Sequence, residues 1–240
     1  MTESRPQVLA LEHMPGGHPG LFLELMRADG IACREVRLDR GEPIPDLAAY
    51  DGLIVMGGPM DVWQEAEHPW LREEKEAIRE AVLGRDMALL GICLGHQLLA
   101  DALGGKVVLM AEPEIGPFEV ELDGAAGRSL LAGLAARAQV LQWHAAEVER
   151  PPDGARILAR SPGCAVQAMQ VGERALGLQF HAEVTESLLD EWLAEPANAD
   201  ALVRHLGAGG PERFRAGACA RMAAFEAVAR RIYDRFRSLL

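Results

Sequence analysis

The sequence predicts an α/β fold in which an open, mostly parallel sheet is flanked by helices and carries a small antiparallel addition. Short apolar runs, such as residues 87–92, suit central parallel strands that are covered on both faces. In the first half of the chain these runs alternate with helical patterns, as they do in βαβ units. In the second half, short strands separated by turns follow one another, which is typical of antiparallel pairing.

Four strands and three helices are expected in the parallel half. The strands are predicted at residues 7–12, 31–38, 50–56 and 87–92, and the helices at residues 21–28, 70–82 and 94–103. Gly30 and the Gly104-Gly105 pair end the first and third helices, as glycine commonly does. The charge run from Arg72 to Glu76 is interpreted as a solvated helix face, and His13 and His18 as solvated loop residues.

The second half is expected to begin with short strands and to end in helices. The strands are predicted at residues 106–110, 117–122, 138–143, 156–160, 165–170 and 175–180. Helices are predicted at residues 185–193 and 198–206, and one long helix from about residue 212 to the end. Its apolar stripe comprises Met222, Phe225, Ile232, Phe236 and Leu239.

We interpret this stripe as packing on the chain's own sheet, with homodimerisation as the alternative. Because no linker divides the sequence, residues 1–240 are interpreted as one domain with a C-terminal helical extension over about 185–240.

Composition narrows the possible partners. The chain has 240 residues and a net charge of −12, which argues against a nucleic-acid or anionic-membrane partner. No apolar run approaches the roughly 20 residues of a membrane span, and the N-terminus lacks a signal-peptide pattern. The four cysteines lie far apart without a CxxC pair, so neither a disulfide framework nor a zinc site is predicted. We therefore expect a cytoplasmic protein without a metal or cofactor.

Cys93 follows the apolar run 87–92 and precedes a helical pattern. Gly91 and Gly95 flank it at the positions where a tight strand-to-helix turn leaves no room for a Cβ, as in a nucleophile elbow. A thiol at a helix N-terminus is favoured as thiolate, and the N–H of Leu94 is available to an oxyanion. The alternative is a buried, inert cysteine at a Gly-rich strand end.

Two further segments follow predicted strands. Gly57-Gly58-Pro59 comes directly after an apolar run, so its N–H groups lie where ligands bind in open α/β folds, although an ordinary turn has the same pattern. His181-Ala182-Glu183 follows another buried run. On its own this is a surface His-x-Glu. Beside Cys93, His181 can take the thiol proton and Glu183 can fix its tautomer.

These residues resemble the class I glutamine amidotransferases, in particular the stand-alone proteins similar to the glutaminase domain of GMP synthase. The matching motifs are Met-Gly-Gly-Pro-Met at 56–60, Gly-Ile-Cys-Leu-Gly-His-Gln at 91–97, Glu-Ile-Gly at 114–116, Gln-Trp-His at 142–144 and Gln-Phe-His-Ala-Glu at 179–183. The elbow and the His-Glu pair are specific when they occur together.

The resemblance implies a flavodoxin-like fold and a role for each matching residue. The implied catalytic residues are Cys93 as nucleophile, His181 as general base and acid, and Glu183 as orienting carboxylate. The implied oxyanion donors are the N–H groups of Leu94 and Gly58, and the implied substrate-binding residues are Gln97, Trp143 and His144. The implied reaction releases ammonia and glutamate from a γ-glutamyl amide through a cysteine thioester.

The chain departs from the family pattern at two positions. Ala182 replaces a proline that the family often has, while the His-to-Glu spacing is kept. Ala146 stands where the synthase domains have an aspartate, so a contact of that aspartate with substrate or synthetase is lost.

The residues beyond Glu183 are too few for an ATP-using acceptor domain, so a separate acceptor or synthetase chain is expected. The alternatives are a γ-glutamyl peptide or conjugate hydrolase that acts alone, and a catalytically silent regulatory subunit.

Overall fold

Nine strands form one sheet within residues 5–124 and 129–240, the ranges that this computed structural model describes. They are β1 (Gln7–Glu12), β2 (Ala32–Arg37), β3 (Gly52–Val55), β4 (Ala88–Ile92), β5 (Lys106–Leu122), β6 (Arg137–Arg150), β7 (Arg156–Arg160), β8 (Ala168–Val171) and β9 (Ala175–Leu178). The helices are α1 (Leu21–Ala28), α2 (Trp70–Arg79), α3 (Leu94–Ala102), α4 (Glu186–Ala194), α5 (Pro196–Leu206), α6 (Gly210–Cys219) and α7 (Met222–Arg237).

The sheet has a parallel part and an antiparallel part. Its strand order is β2-β1-β3-β4-β9-β8-β7-β5-β6, and the pairings from β2 to β9 are all parallel. From β9 onward every pairing is antiparallel. The predicted fold class, a mostly parallel sheet flanked by helices with an antiparallel addition, is confirmed.

Each face of the parallel part is covered by two helices, because side chains alternate along its strands. Val8 and Ala10 of β1 pack in the cluster that contains residues of α1 and α7. Leu9 and Leu11 pack in the opposite cluster, with residues of α2 and α3. Burial on both faces explains why these strands are continuous apolar runs in the sequence.

Several predicted boundaries were wrong. The strand predicted at 138–143 extends over Arg137–Arg150 as β6, and the one predicted at 165–170 is β8, Ala168–Val171. Residues 106–110 and 117–122 form one strand, β5, which continues through Pro113 and Gly116 with a shift of register against β6 between Leu109 and Glu114. The predicted long terminal helix is two helices that meet at Arg221, whose φ of −121° leaves the helical region. The break lets α6 pack on β5 while α7 packs on β6 and α1.

The apolar stripe of α7 faces the interior, as predicted. Phe225, Ile232 and Phe236 are all buried, so α7 covers the chain's own sheet. No helix in the described ranges has the length and apolar character needed to cross a membrane.

The parallel strands place four segments at one edge of the sheet. β1, β3, β4 and β9 lie side by side, and their carboxyl ends lead into His13, Gly57, Cys93 and His181. Ligands bind at this edge in open α/β folds, so it is the place to look for a site.

Candidate active site

Cys93 lies on a strained turn between β4 and α3. Its φ of 53° and ψ of −103° are rare for a residue other than glycine. A Cβ on Gly91 would come within 2.5 Å of the Gly95 carbonyl oxygen, and one on Gly95 would overlap the Val55 carbonyl. Both flanking glycines are therefore needed for the close approach that the sequence analysis predicts.

His181 and Glu183 lie just beyond β9 and are both buried. The Nδ1 of His181 is 2.7 Å from the Glu183 Oε1, so this nitrogen carries the hydrogen that the carboxylate accepts. The ring lies next to Cys93, because a Cβ placed on Gly57 would be 3.1 Å from the His181 Cε1 and 3.4 Å from the Cys93 Cβ. The backbone N–H of His181 donates to the Leu141 carbonyl at 2.8 Å, which fixes the segment against β6.

The charges around His181 favour its protonated form. Burial of the ring lowers the pKa of His181, but the charges of Glu183 and Cys93, and hydrogen bonds with both, outweigh burial and raise it to about 10. The imidazolium form of His181 is therefore favoured at neutral pH.

Gly57 and Gly58 lie beside the thiol. A Cβ on Gly57 would be 3.1 Å from the His181 Cε1 and 3.4 Å from the Cys93 Cβ, and one on Gly58 would be 3.1 Å from the Leu94 Cδ2. The Leu94 N–H opens α3 and has no acceptor within the helix. Gly58 therefore packs against Leu94, the residue that follows Cys93 and whose N–H is free of the helix.

A cavity opens over these residues. Its empty volume is about 580 Å³ including its mouth, within the range of small-molecule sites. The lining residues are Met14, Gly16, Gly17, His18, Met56, Gly57, Gly58, Pro59, Cys93, Trp143, His181, Glu183, Trp192 and Asn198. Cys93, His181, Glu183, Gly58 and Trp143, which the sequence analysis selected, all lie on it.

The outer wall of the cavity comes from residues that the sequence analysis missed. Trp192 of α4 meets the His181 ring edge-on at 4.9 Å and contacts Trp143 at 5.9 Å. Its Nε1–H donates to the Gly16 carbonyl at 2.8 Å, which ties α4 to the loop after β1. His18 also lines the cavity, with its Nε2 3.2 Å from the Glu191 Oε2. The sequence did contain a signal for Trp192: it follows Leu188 by four residues and Leu189 by three, so it lies on the same apolar helix face.

Gln97 and His144 are not among the cavity-lining residues. The Gln97 side-chain amide is buried and donates to the Ala146 carbonyl at 3.0 Å and to the Gln179 Oε1 at 3.1 Å. The His144 Nδ1 also meets the Ala146 carbonyl at 3.0 Å, and its Nε2 is 3.1 Å from the Glu114 Oε2. Both side chains thus contact β6 at Ala146, three residues after Trp143. The Trp143 carbonyl oxygen is itself 3.7 Å from the Cys93 Sγ.

The interpretation of His13 as a solvated loop residue was wrong. That of the charge run as a solvated face was wrong at Lys75, which is buried and donates to the Val62 carbonyl, and at Glu74. The His13 and Glu74 side chains have no exposed surface. The His13 Nε2 is 2.8 Å from the Glu74 Oε1, and its Nδ1 is 3.0 Å from the Gly57 carbonyl oxygen. Glu74 shares a helix face with Leu71 and Ile78, three residues before it and four after it, and this spacing was the missed signal.

Among residues 5–124 and 129–240, no group of three or more His, Cys, Asp or Glu side chains could hold a metal ion. The four cysteines are free thiols. The cavity presents a thiol, an imidazole and a carboxylate, from Cys93, His181 and Glu183.

A family model matches most of this region. Residues 24–195 match the model described as glutamine amidotransferase class-I, and Cys93, His181 and Glu183 all lie inside the match.

Two curated relatives and one solved structure show how far the similarity extends. The glutamine-hydrolyzing GMP synthase of Aeropyrum pernix is 42% identical over 160 residues, which are 64% of this chain and 28% of that protein. A subunit of the glutamine-hydrolyzing GMP synthase of Sulfurisphaera tokodaii is 40% identical over 144 residues, 60% of this chain and 72% of that relative. A glutamine amidotransferase from Thermotoga maritima has a TM-score of 0.88 and 27% identity, covering 98% of this chain and 99% of its own.

The chain thus spans about a quarter of the length of the full-length synthase from Aeropyrum.

Proposed function

This chain belongs to the class I glutamine amidotransferase family, and on that premise we propose that it hydrolyses a γ-glutamyl amide through a thioester on Cys93. The products are ammonia and glutamate. The observation that carries the proposal is that Cys93, His181 and Glu183 line one cavity, with the His181 Nδ1 2.7 Å from the Glu183 Oε1 and the ring next to Cys93.

Acylation begins with the thiolate. The Cys93 Sγ forms a bond with the γ-carbonyl carbon, and the carbonyl electron pair moves onto oxygen. The N–H groups of Leu94 and Gly58 stabilise that oxyanion in the transition state. When the carbonyl re-forms, the C–N bond breaks, His181 gives its proton to the departing nitrogen, and ammonia leaves.

Deacylation uses the same residues in reverse. Neutral His181 takes a proton from a water molecule, whose oxygen attacks the thioester carbon. The C–S bond then breaks, glutamate leaves, and Cys93 returns as thiolate beside the imidazolium. Glu183 holds the Nδ1 hydrogen throughout, so the Nε2 faces the reacting atoms.

Substrate binding involves one residue on the cavity wall and two behind it. Trp143 lines the cavity and contacts the glutamyl group. Gln97 and His144 act at the amino-acid end by holding the backbone around Ala146. The Ala146 side chain packs in the core, and its carbonyl oxygen accepts hydrogen bonds from Gln97 and His144.

A separate synthetase chain is the partner we propose, because the Sulfurisphaera relative is named as one subunit of GMP synthase. The ammonia then serves an acceptor on that chain. A homodimer would need a surface other than the α7 stripe, because its Phe225, Ile232 and Phe236 are buried within the chain. The free thiols suit a reducing compartment, and we propose the cytoplasm.

The test is release of ammonia and glutamate from glutamine and a panel of γ-glutamyl peptides and conjugates, with Cys93→Ser as the control. We expect slow glutamine hydrolysis by wild type and none by the variant. Fast turnover of a conjugate by the chain alone would favour the independent hydrolase. A variant as active as wild type, or no turnover of any compound by wild type, would contradict the proposal.

A further inference from the structure

A second His–Glu pair lies behind the Gly57–Gly58 peptide, outside the residues that line the cavity. The His13 Nδ1 is 3.0 Å from the Gly57 carbonyl oxygen, and its Nε2 is 2.8 Å from the Glu74 Oε1. Both side chains are fully buried. The proposed mechanism does not use this pair, so its position needs an explanation.

The Gly57–Gly58 peptide needs a tether because glycine adopts many backbone conformations at little cost. The preceding residue, Met56, is held on both sides: its N–H donates to Leu11 and its carbonyl accepts from Gly95. Beyond Met56, the hydrogen bond from His13 holds the carbonyl of Gly57. A rotation of this peptide would place a carbonyl where the oxyanion needs a donor.

The direction of the Gly58 N–H follows from peptide geometry. In a planar trans peptide, the C=O and the following N–H point to opposite sides. The Gly57 carbonyl points to His13, so the Gly58 N–H points away from His13. Gly57 and Gly58 line the cavity and His13 does not, which leaves the N–H on the side of the thiol.

The surroundings of His13 keep a hydrogen on its Nδ1. Burial lowers the pKa of His13, but the charge of Glu74 and hydrogen bonds with Glu74 and Gly57 outweigh burial and raise it. The ring also stacks on Trp70, with centroids 5.3 Å apart and planes 17° apart, which fixes its orientation. Both nitrogens therefore face oxygen atoms in a fixed geometry.

We propose that His13, oriented by Glu74 and Trp70, is a positioning residue that holds the Gly57 carbonyl and so presents the Gly58 N–H to the oxyanion. The proposal rests on the proposed function, because an oxyanion forms only if Cys93 attacks a carbonyl. It assigns His13 an effect on the transition state and none on substrate binding.

Two amide variants separate this role from a general contribution to folding. In His13→Asn, the side-chain amide nitrogen can take the place of Nδ1 and still donate to Gly57. In His13→Gln, the amide reaches the place of Nε2 and leaves the Gly57 carbonyl without its donor. Loss of one oxyanion donor lowers kcat by about 10²–10³-fold in other enzymes. We expect His13→Gln to lower kcat by roughly 10²-fold with KM unchanged, and His13→Asn to restore most of it.

Alkylation of Cys93 by iodoacetamide provides the matched control. The thiolate displaces iodide from an sp³ carbon, so a C–S bond forms and a C–I bond breaks without a carbonyl oxyanion. We expect the alkylation rate at Cys93, followed by peptide mass spectrometry, to stay within about twofold of wild type in both variants. Glu73→Gln, on the exposed face of the same helix, should leave both rates unchanged.

Melting temperatures measured in parallel identify any loss of folded protein. Equal kcat in His13→Gln and wild type would overturn the proposal, as would a loss confined to KM or a parallel loss of alkylation. A deficit of the same size in His13→Asn and His13→Gln would also overturn it. A wild-type chain that hydrolyses no γ-glutamyl compound would instead overturn the proposed function, and this inference with it.

Discussion

Two buried His–Glu pairs lie on either side of Gly57, and they differ in what the second ring nitrogen meets. In one pair, the His181 Nδ1 is 2.7 Å from the Glu183 Oε1, and the second ring nitrogen, Nε2, is left for Cys93. In the other pair, the His13 Nε2 is 2.8 Å from the Glu74 Oε1, and the second ring nitrogen, Nδ1, faces the Gly57 carbonyl oxygen. Under the two proposals, a histidine and a glutamate support proton transfer in one place and backbone positioning in the other.

Access to the cavity separates the pairs as well. His181 and Glu183 line the cavity, whereas His13 and Glu74 do not. Each histidine also contacts its own tryptophan: Trp192 lies edge-on to His181, and Trp70 stacks on His13. Because the two pairs have nearly the same geometry, the role proposed for each depends on the groups around it and on its access to the cavity.

The largest expected effect is at His181. His181→Asn removes the group that moves the proton, and loss of a triad member lowers kcat by about 10⁴-fold or more. Steady-state ammonia release should show this loss, while His13→Asn keeps most of the wild-type rate. Similar rates of ammonia release in His181→Asn and His13→Asn would contradict the different roles proposed for the two pairs.

The two glutamates should differ next. Glu183→Gln removes the charge that stabilises the His181 imidazolium, and we expect kcat to fall by roughly 10³-fold. In Glu74→Gln the amide can donate to the His13 Nε2, so Nδ1 keeps its hydrogen and the bond to Gly57. We expect a loss of only about threefold, measured in the same assay. A larger loss in Glu74→Gln than in Glu183→Gln would contradict the assignment.

The pH profile sharpens the comparison. His181 has a pKa raised to about 10, so its imidazolium is present below that pH and is lost as the pH rises through it. We expect kcat/KM to fall above about pH 10, and this limb to move to lower pH in Glu183→Gln.

Glu74→Gln should leave the limb in place, because Glu74 does not contact His181. Circular dichroism over the same range shows whether the fold persists. A limb that moves in both variants would indicate that the two pairs are coupled.

Much of the parallel half could be predicted from the sequence, because strands that are covered on both faces are short apolar runs. β1 and α1 have the predicted bounds, and the elbow at Cys93 follows from glycines that the turn requires. The terminal helix break could not be predicted, since residues 219–221 contain neither Gly nor Pro. It arises because α6 and α7 pack on different strands.

The candidate site was predictable only where its residues are close in sequence or adjoin a motif. His181 and Glu183 are two positions apart and follow a buried strand. His13 and Glu74 are 61 positions apart and come from a glycine-rich loop and a charged helix. Only the three-dimensional structure brings them together at Gly57, so composition alone favoured solvent exposure for both.

An effect as small as that of Glu74→Gln is expected at Trp192, beside His181. Trp192→Phe keeps a ring near His181 but loses the hydrogen bond to the Gly16 carbonyl that ties α4 to the cavity loop. We expect KM to rise about threefold with kcat nearly unchanged, because one neutral hydrogen bond contributes about 1 kcal/mol. Initial rates across a range of glutamine concentrations measure this. A change in kcat alone would place Trp192 in the chemistry instead.

Covalent trapping tests the central claim, that Cys93 attacks a γ-glutamyl carbonyl, most directly. The chain is incubated with a γ-glutamyl chloroketone, and adduct formation is followed by peptide mass spectrometry together with ammonia release from glutamine. We predict one adduct per chain, on Cys93, with activity lost in proportion to its formation. An adduct confined to another cysteine, or full ammonia release from a chain fully modified at Cys93, would contradict the account.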